Sequence, residues 1–181
     1  MQPNYTVIIH TPQELNHSSY IQTGLFELEK MALVNVEVQL YLKKNKGTLT
    51  VDNQGDITIS SRPHPKTSFY TLIDKSTNKR ISFATDLYDF AEHFSEAALN
   101  GCDYYFKRNF ESRIVSAVQP KAKAQIHRLG ITFGNHSKYK HGSNKFLLGL
   151  FLTNLRLNLK KDRYFLKRIL KTYKAQKKHW Q

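Results

Sequence analysis

Among the residues of this chain, His17 is best suited to general-base chemistry. Imidazole titrates near neutral pH, and the polar run Asn16, His17, Ser18, Ser19 places it in a loop open to a cleft. A surface or capping role is the competing assignment. Asp86 and Asp89 follow an apolar β-branched run and are placed to orient such a base, to bind ligand hydroxyls, or to cap a helix beginning near Asp89. Lys107 and Arg108 are adjacent cations directly behind the aromatic run Asp103 to Phe106, suited to a phosphate or carboxylate held in bidentate fashion. Gly130 opens a fourth polar turn. Solvent exposure competes with binding for the two cations.

Other chemistries lack their signatures. No histidine pair has HxxxH or HExxH spacing, and Cys102 is the only cysteine, so neither a structural metal nor an intramolecular disulfide is expected. Walker and GxGxxG glycine patterns are absent, which counts against a nucleotide held by this chain alone.

The elements that must position these residues read as α/β. Tyr5 to His10 is a β-branched run, followed by a loop over Thr11 to Asn16. From Ser18 or Ser19, apolar residues then recur at helical spacing to about Met31. A strand over Val36 to Leu42 completes a strand, helix, strand unit, which normally makes a parallel pair. Thr48 to Val51 and Asp56 to Ser60 flank a polar turn and read as a peripheral hairpin. Strands follow over Phe69 to Asp74, Arg80 to Thr85, Asp103 to Phe106 and Ala124 to Leu129, with helices over Ser95 to Asn100 and Glu111 to Val118. Residues 1–145 are expected to form a Rossmann-like open, mainly parallel sheet with a hairpin insertion. Residues 146–181 are expected to form basic amphipathic C-terminal helices. In such sheets ligands sit outside the carboxyl ends of the strands, where all four polar loops fall.

Charge is distributed unevenly. Twelve basic and 13 acidic residues precede Pro120, whereas 16 basic residues and one acidic residue, Asp162, follow it. The last third should therefore be drawn to a polyanion, with nucleic acid, an anionic membrane surface and an acidic partner protein all open. A helix presenting Arg163, Lys167, Arg168, Lys171 and Lys174 beside Phe165, Ile169 and Tyr173 suits an anionic membrane surface. The nucleic-acid alternative has Arg156 to Lys178 tracking phosphates while Tyr164, Phe165 and Tyr173 stack on bases. A non-catalytic interaction module is the third class. With no secretory signal and no apolar run near the roughly 20 residues a spanning helix needs, the cytoplasm is the expected location, peripheral to the inner membrane face if the tail binds lipid.

NHSSYIQTGLFELEK (Asn16 to Lys30), ISFATDLYD (Ile81 to Asp89), CDYYFKRNF (Cys102 to Phe110) and HRLGITF (His127 to Phe133) resemble, in this order, the N-terminal half of bacterial GT-B glycosyltransferases of capsule and exopolysaccharide synthesis. The resemblance extends from about Tyr5 to Tyr173. It implies an acceptor-binding Rossmann-like domain whose acceptor is a glycan or a lipid-linked phosphate. It also implies a nucleotide-sugar donor held by a second domain. No strand and helix series for that domain is found, so the chain is expected to be an isolated acceptor-side half working with a second GT-B domain in cis or in trans, a truncated product, or a family member that has lost its partner domain, and in each case not a transferase by itself.

Overall fold

The structure is a computed structural model that describes residues 3–10, 15–39, 47–62, 64, 66–130, 148, 152 and 167, excluding the side chains of 15–20. Strand β1 (Tyr5–Ile9) leads to helix α1 (Leu15–Lys30) and strand β2 (Val34–Val38), and β1 and β2 pair in parallel. The connection can reverse direction because Ala32 adopts φ 57° just beyond the helix. Then come β3 (Thr48–Val51), β4 (Ile57–Ser60), β5 (Thr67–Asp74), β6 (Arg80–Asp86) and the three-residue β7 (His93–Ser95). Helix α2 (Glu96–Gly101), β8 (Tyr104–Lys107), α3 (Ser112–Val118), a single 3-10 turn (Gln119–Lys121) and β9 (Gln125–Arg128) complete the described elements.

Two sheets result. The larger has the order β2-β1-β5-β6-β8-β9, the smaller β4-β3-β7. The expected mainly parallel sheet is instead mixed. β1 with β2, β6 with β8, and β8 with β9 are parallel, while β5 is antiparallel to both neighbours. The cause is local: the tight polar turn over Lys75 to Lys79 folds β5 back on β6, and no crossover of a dozen residues exists to make them parallel. β5 therefore stands between β1 and β6, reversed among five strands that share a direction.

Side-chain alternation sorts the core onto two faces. Val7, Ile9, Val36 and Tyr70 face α1 and pack against its Leu25 and Phe26. Phe69, Ala84, Tyr105 and Ile126 face the other way, under α2, α3 and the small sheet. The β3–β4 hairpin is not peripheral as its polar turn suggests. Leu49 and Val51 belong to that second core, where Phe94 of β7 joins them. Asp52 closes the hairpin by accepting hydrogen bonds from Gln54 N and Asp56 N at 3.0 and 2.8 Å, with Gly55 at φ 93°.

The basic helical segment expected over 146–181 lies outside the described residues, apart from Leu148, Leu152 and Lys167, all exposed. Arg163, Arg168, Lys171 and Lys174 fall in the part not described. Among the described residues, no helix is long and apolar enough to cross a membrane.

Candidate functional site

The order of the large sheet contains a change in the direction of its connections. From β1 the chain moves outward to β2, whereas from β6 it moves the opposite way, to β8 and then β9. The first connection covers one face and the second covers the other. At such a switch the loops leave the carboxyl ends of β1 and β6 in opposite directions and open a gap between them. Here the start of β5, with Lys66 and His64 before it, lies between those two strand ends.

Asp86 ends β6 and is paired in register with Lys107, which ends β8. Both side chains are fully buried. Asp86 Oδ2 accepts hydrogen bonds from Tyr105 Oη at 2.5 Å and Lys107 Nζ at 3.1 Å, and His64 Nε2 lies 3.2 Å from the same oxygen. Its other oxygen accepts Tyr88 N at 2.8 Å. Lys107 Nζ also donates to His93 O at 2.7 Å and Phe90 O at 3.1 Å, and stands 4.4 Å from the centre of the Phe94 ring. Three donors therefore meet three acceptors. Tyr105 Oη in turn accepts Ser95 N at 3.0 Å.

Burial pushes the Asp86 carboxyl up, but Lys107, His64 and Tyr105 outweigh it and hold the group at about 2. Burial also pushes Lys107 down, more than the neighbouring carboxylate raises it, and drives the Tyr105 hydroxyl well above its ordinary value. The group is an ion pair closed on itself. It fastens β7 and the loop 87–93 to the large sheet, and it leaves Lys107 no donor for a phosphate and Asp86 no path to solvent. Both residues, read from sequence as contacting a ligand, are positioned here to hold the loop that does face outward.

That loop carries the exposed part of the site. Asp89, which sequence reading allowed to cap a helix, caps none, since no helix begins there. Instead its carboxylate accepts from Lys66 Nζ on Oδ2 and from Arg108 on Oδ1, and its backbone carbonyl accepts from Asn109 Nδ2. The Lys66 hydrogen bond and charge, with those of Arg108, hold Asp89 below the usual carboxylate range. Phe90 is 52 % exposed beside half-buried Tyr88, their ring centroids 5.4 Å apart. Arg128 ends β9 over the ring of Phe110 at 5.2 Å, and Gly130 follows, exposed, with open space where a Cβ would project.

Asn16, His17, Ser18 and Ser19 lie in the first turns of α1 rather than in the preceding loop. Their backbone is thus at the carboxyl end of β1, while their side chains lie outside those described. Thr11, Asn16, Ser18 and Ser19 offer several cap residues in succession, and a run of that kind does not fix where the helix starts. Two histidines at this end were missed. His10 closes β1 and its Nε2 lies 2.8 Å from Thr71 Oγ1; His64 is buried between two prolines in sequence. Lys66 was missed as well, since nothing in its local sequence distinguishes it from a linker lysine.

No group of three histidine, cysteine or acidic residues suited to a metal occurs among the described residues. No family model, curated protein or solved structure matches this chain.

Proposed function

We propose that this chain is the acceptor-binding half of a GT-B glycosyltransferase acting in surface polysaccharide synthesis, with a Rossmann-like domain whose acceptor site is the crevice between the ends of β1 and β6. One observation carries the reading. At the carboxyl end of a sheet with helices on both faces, an exposed aromatic residue, Phe90, stands beside a carboxylate and two cations on a loop made rigid from beneath by a buried ion pair. Aromatic faces pack against the apolar faces of sugar rings, while carboxylates and amides bind the hydroxyl rim. A rigid loop keeps that pairing aligned without an ordering cost on binding.

In this reading Phe90 and Tyr88 form the platform, and Arg108 and Asn109 hold the polar edge of the acceptor. His17, whose backbone lies in the first turns of α1, takes the proton of the attacking hydroxyl. That hydroxyl attacks the anomeric carbon of a nucleotide sugar presented by a second domain, and the nucleoside diphosphate leaves with the electron pair of the broken bond. The basic tail keeps the domain at an anionic membrane surface on the cytoplasmic side, where lipid-linked acceptors lie. Saturation-transfer NMR with bacterial polysaccharide fragments tests the assignment. Saturation of acceptor protons that disappears in Phe90→Ala supports it, and absence of saturation for every saccharide contradicts it.

A further inference from the structure

Asp89 occupies a place suited to a ligand anion. Lys66 reaches it from the turn before β5, and Arg108 from the turn after β8, so the two cations come from separate elements on either side of the β6 loop. The carboxylate side chain is 51 % exposed, against 19 % for Lys66 and 25 % for Arg108. The cations therefore point inward and the anion outward. Lys66 is held in place by its backbone: it adopts φ 58°, and its carbonyl accepts Leu87 N at 3.0 Å. Its ammonium also stands 5.8 Å from the centre of the Tyr88 ring. A carboxylate this exposed is weakly retained, because water competes for both partners.

We propose that Lys66 and Arg108 form an anion clamp, closed by Asp89 in the free protein, which releases that carboxylate and takes the phosphate of a phosphate-bearing acceptor in its place. The proposal rests on the acceptor-site reading and narrows its substrate class to phosphate esters. A phosphate dianion brings three acceptor oxygens, enough for a bidentate guanidinium and an ammonium together, and more charge than the carboxylate it replaces. Asn109, next to Arg108, adds a neutral donor, and Phe90 lies at the exposed side for the organic part. The phosphate is either that of a free sugar phosphate or that of a lipid headgroup.

The test uses the full chain in low-salt, phosphate-free buffer, titrated calorimetrically with inorganic pyrophosphate. Asp89→Asn, with Asp89→Ser as a second variant, removes the competing charge and is expected to bind roughly tenfold tighter than wild type. Lys66→Gln/Arg108→Gln is expected to bind at least roughly tenfold more weakly, with an unchanged circular dichroism melt. Equal affinities in all these proteins overturn the clamp and assign pyrophosphate binding to the basic residues after Pro120. Hexose 1-phosphate and vesicles of phosphatidic acid in phosphatidylcholine then separate the two sources: the source is whichever probe gains affinity in Asp89→Asn, and gain with neither overturns the proposal. Neutral-saccharide binding, measured alongside, reports on the acceptor site independently. Its persistence with equal pyrophosphate affinities removes the clamp and leaves the acceptor reading intact.

Discussion

Lys107 Nζ lies 3.1 Å from Asp86 Oδ2, between two side chains that are both fully buried and come from register-paired residues of adjacent parallel strands. A buried pair of this kind is costly to assemble and costlier to break, because removing one partner strands the other charge away from water. Lys107→Met is therefore expected to lower unfolding free energy by about 3–5 kcal/mol. Asp86→Leu/Lys107→Met should cost less than the sum of the two single changes. Urea denaturation of the three variants at pH 7 measures both.

The same pair sets an acid limit. The Asp86 carboxyl sits at about 2 in the folded protein, against an ordinary value of 3.8. A carboxyl depressed on folding contributes stability that is fully present above its unfolded value and is lost as pH falls through its folded value. Between pH 4 and 2 the wild type should lose about 2 kcal/mol that Asp86→Asn does not lose. Chemical denaturation of both proteins at pH 5 and pH 2 reads the difference.

Gly47 holds φ 92°, and a Cβ built there would lie 1.9 Å from Glu96 Oε2 and 2.9 Å from Glu96 Cβ. Its carbonyl accepts Glu96 N at 3.1 Å, so the small sheet and α2 meet at this point. Gly47→Ala combines backbone strain with a close contact that only a shift of Glu96 relieves. A loss of about 1–3 kcal/mol in thermal or urea unfolding is expected.

Phe90 offers the opposite case. It is exposed, and only its carbonyl is used by the buried pair. Phe90→Ala should leave stability within about 0.5 kcal/mol of wild type, as for surface substitutions generally. Saccharide binding should fall roughly tenfold with the loss of one aromatic contact of about 1.4 kcal/mol. Isothermal titration beside a thermal melt separates the two effects.

Much of the element order was legible, because it rests on local periodicity: nine of the eleven strands and helices expected before Gly130 occur within two residues of their reading, as with Arg80–Asp86, while α1 begins earlier, at Leu15, and β2 is displaced toward the N-terminus. Pairing was less legible. β7 is only three residues long, and His93, Phe94 and Ser95 reveal a strand only once β3 lies beside them. The reversal of β5 was implied by the short turn before Arg80, yet its place between β1 and β6 depends on contacts distant in sequence. At the site, sequence located Asp86, Asp89, Lys107 and Arg108 at strand ends but not their burial. Alternation along β8 puts Lys107 on the same face as Tyr105, and that face becomes interior only because the small sheet covers it. Lys66 and His64 joined the site through β5 pairing, which no local pattern around Pro63 and Pro65 encodes.

Binding of a saccharide acceptor between the ends of β1 and β6 can be read residue by residue through amide chemical-shift mapping. The isotopically labelled chain would be titrated with a hexose 1-phosphate at moderate salt. Acceptor binding at this place is expected to shift amides at Lys66, Tyr88 to Phe90, Arg108 and Asn109, with the turns around His17 following. Shifts confined to residues beyond Pro120, or none at all, would contradict it.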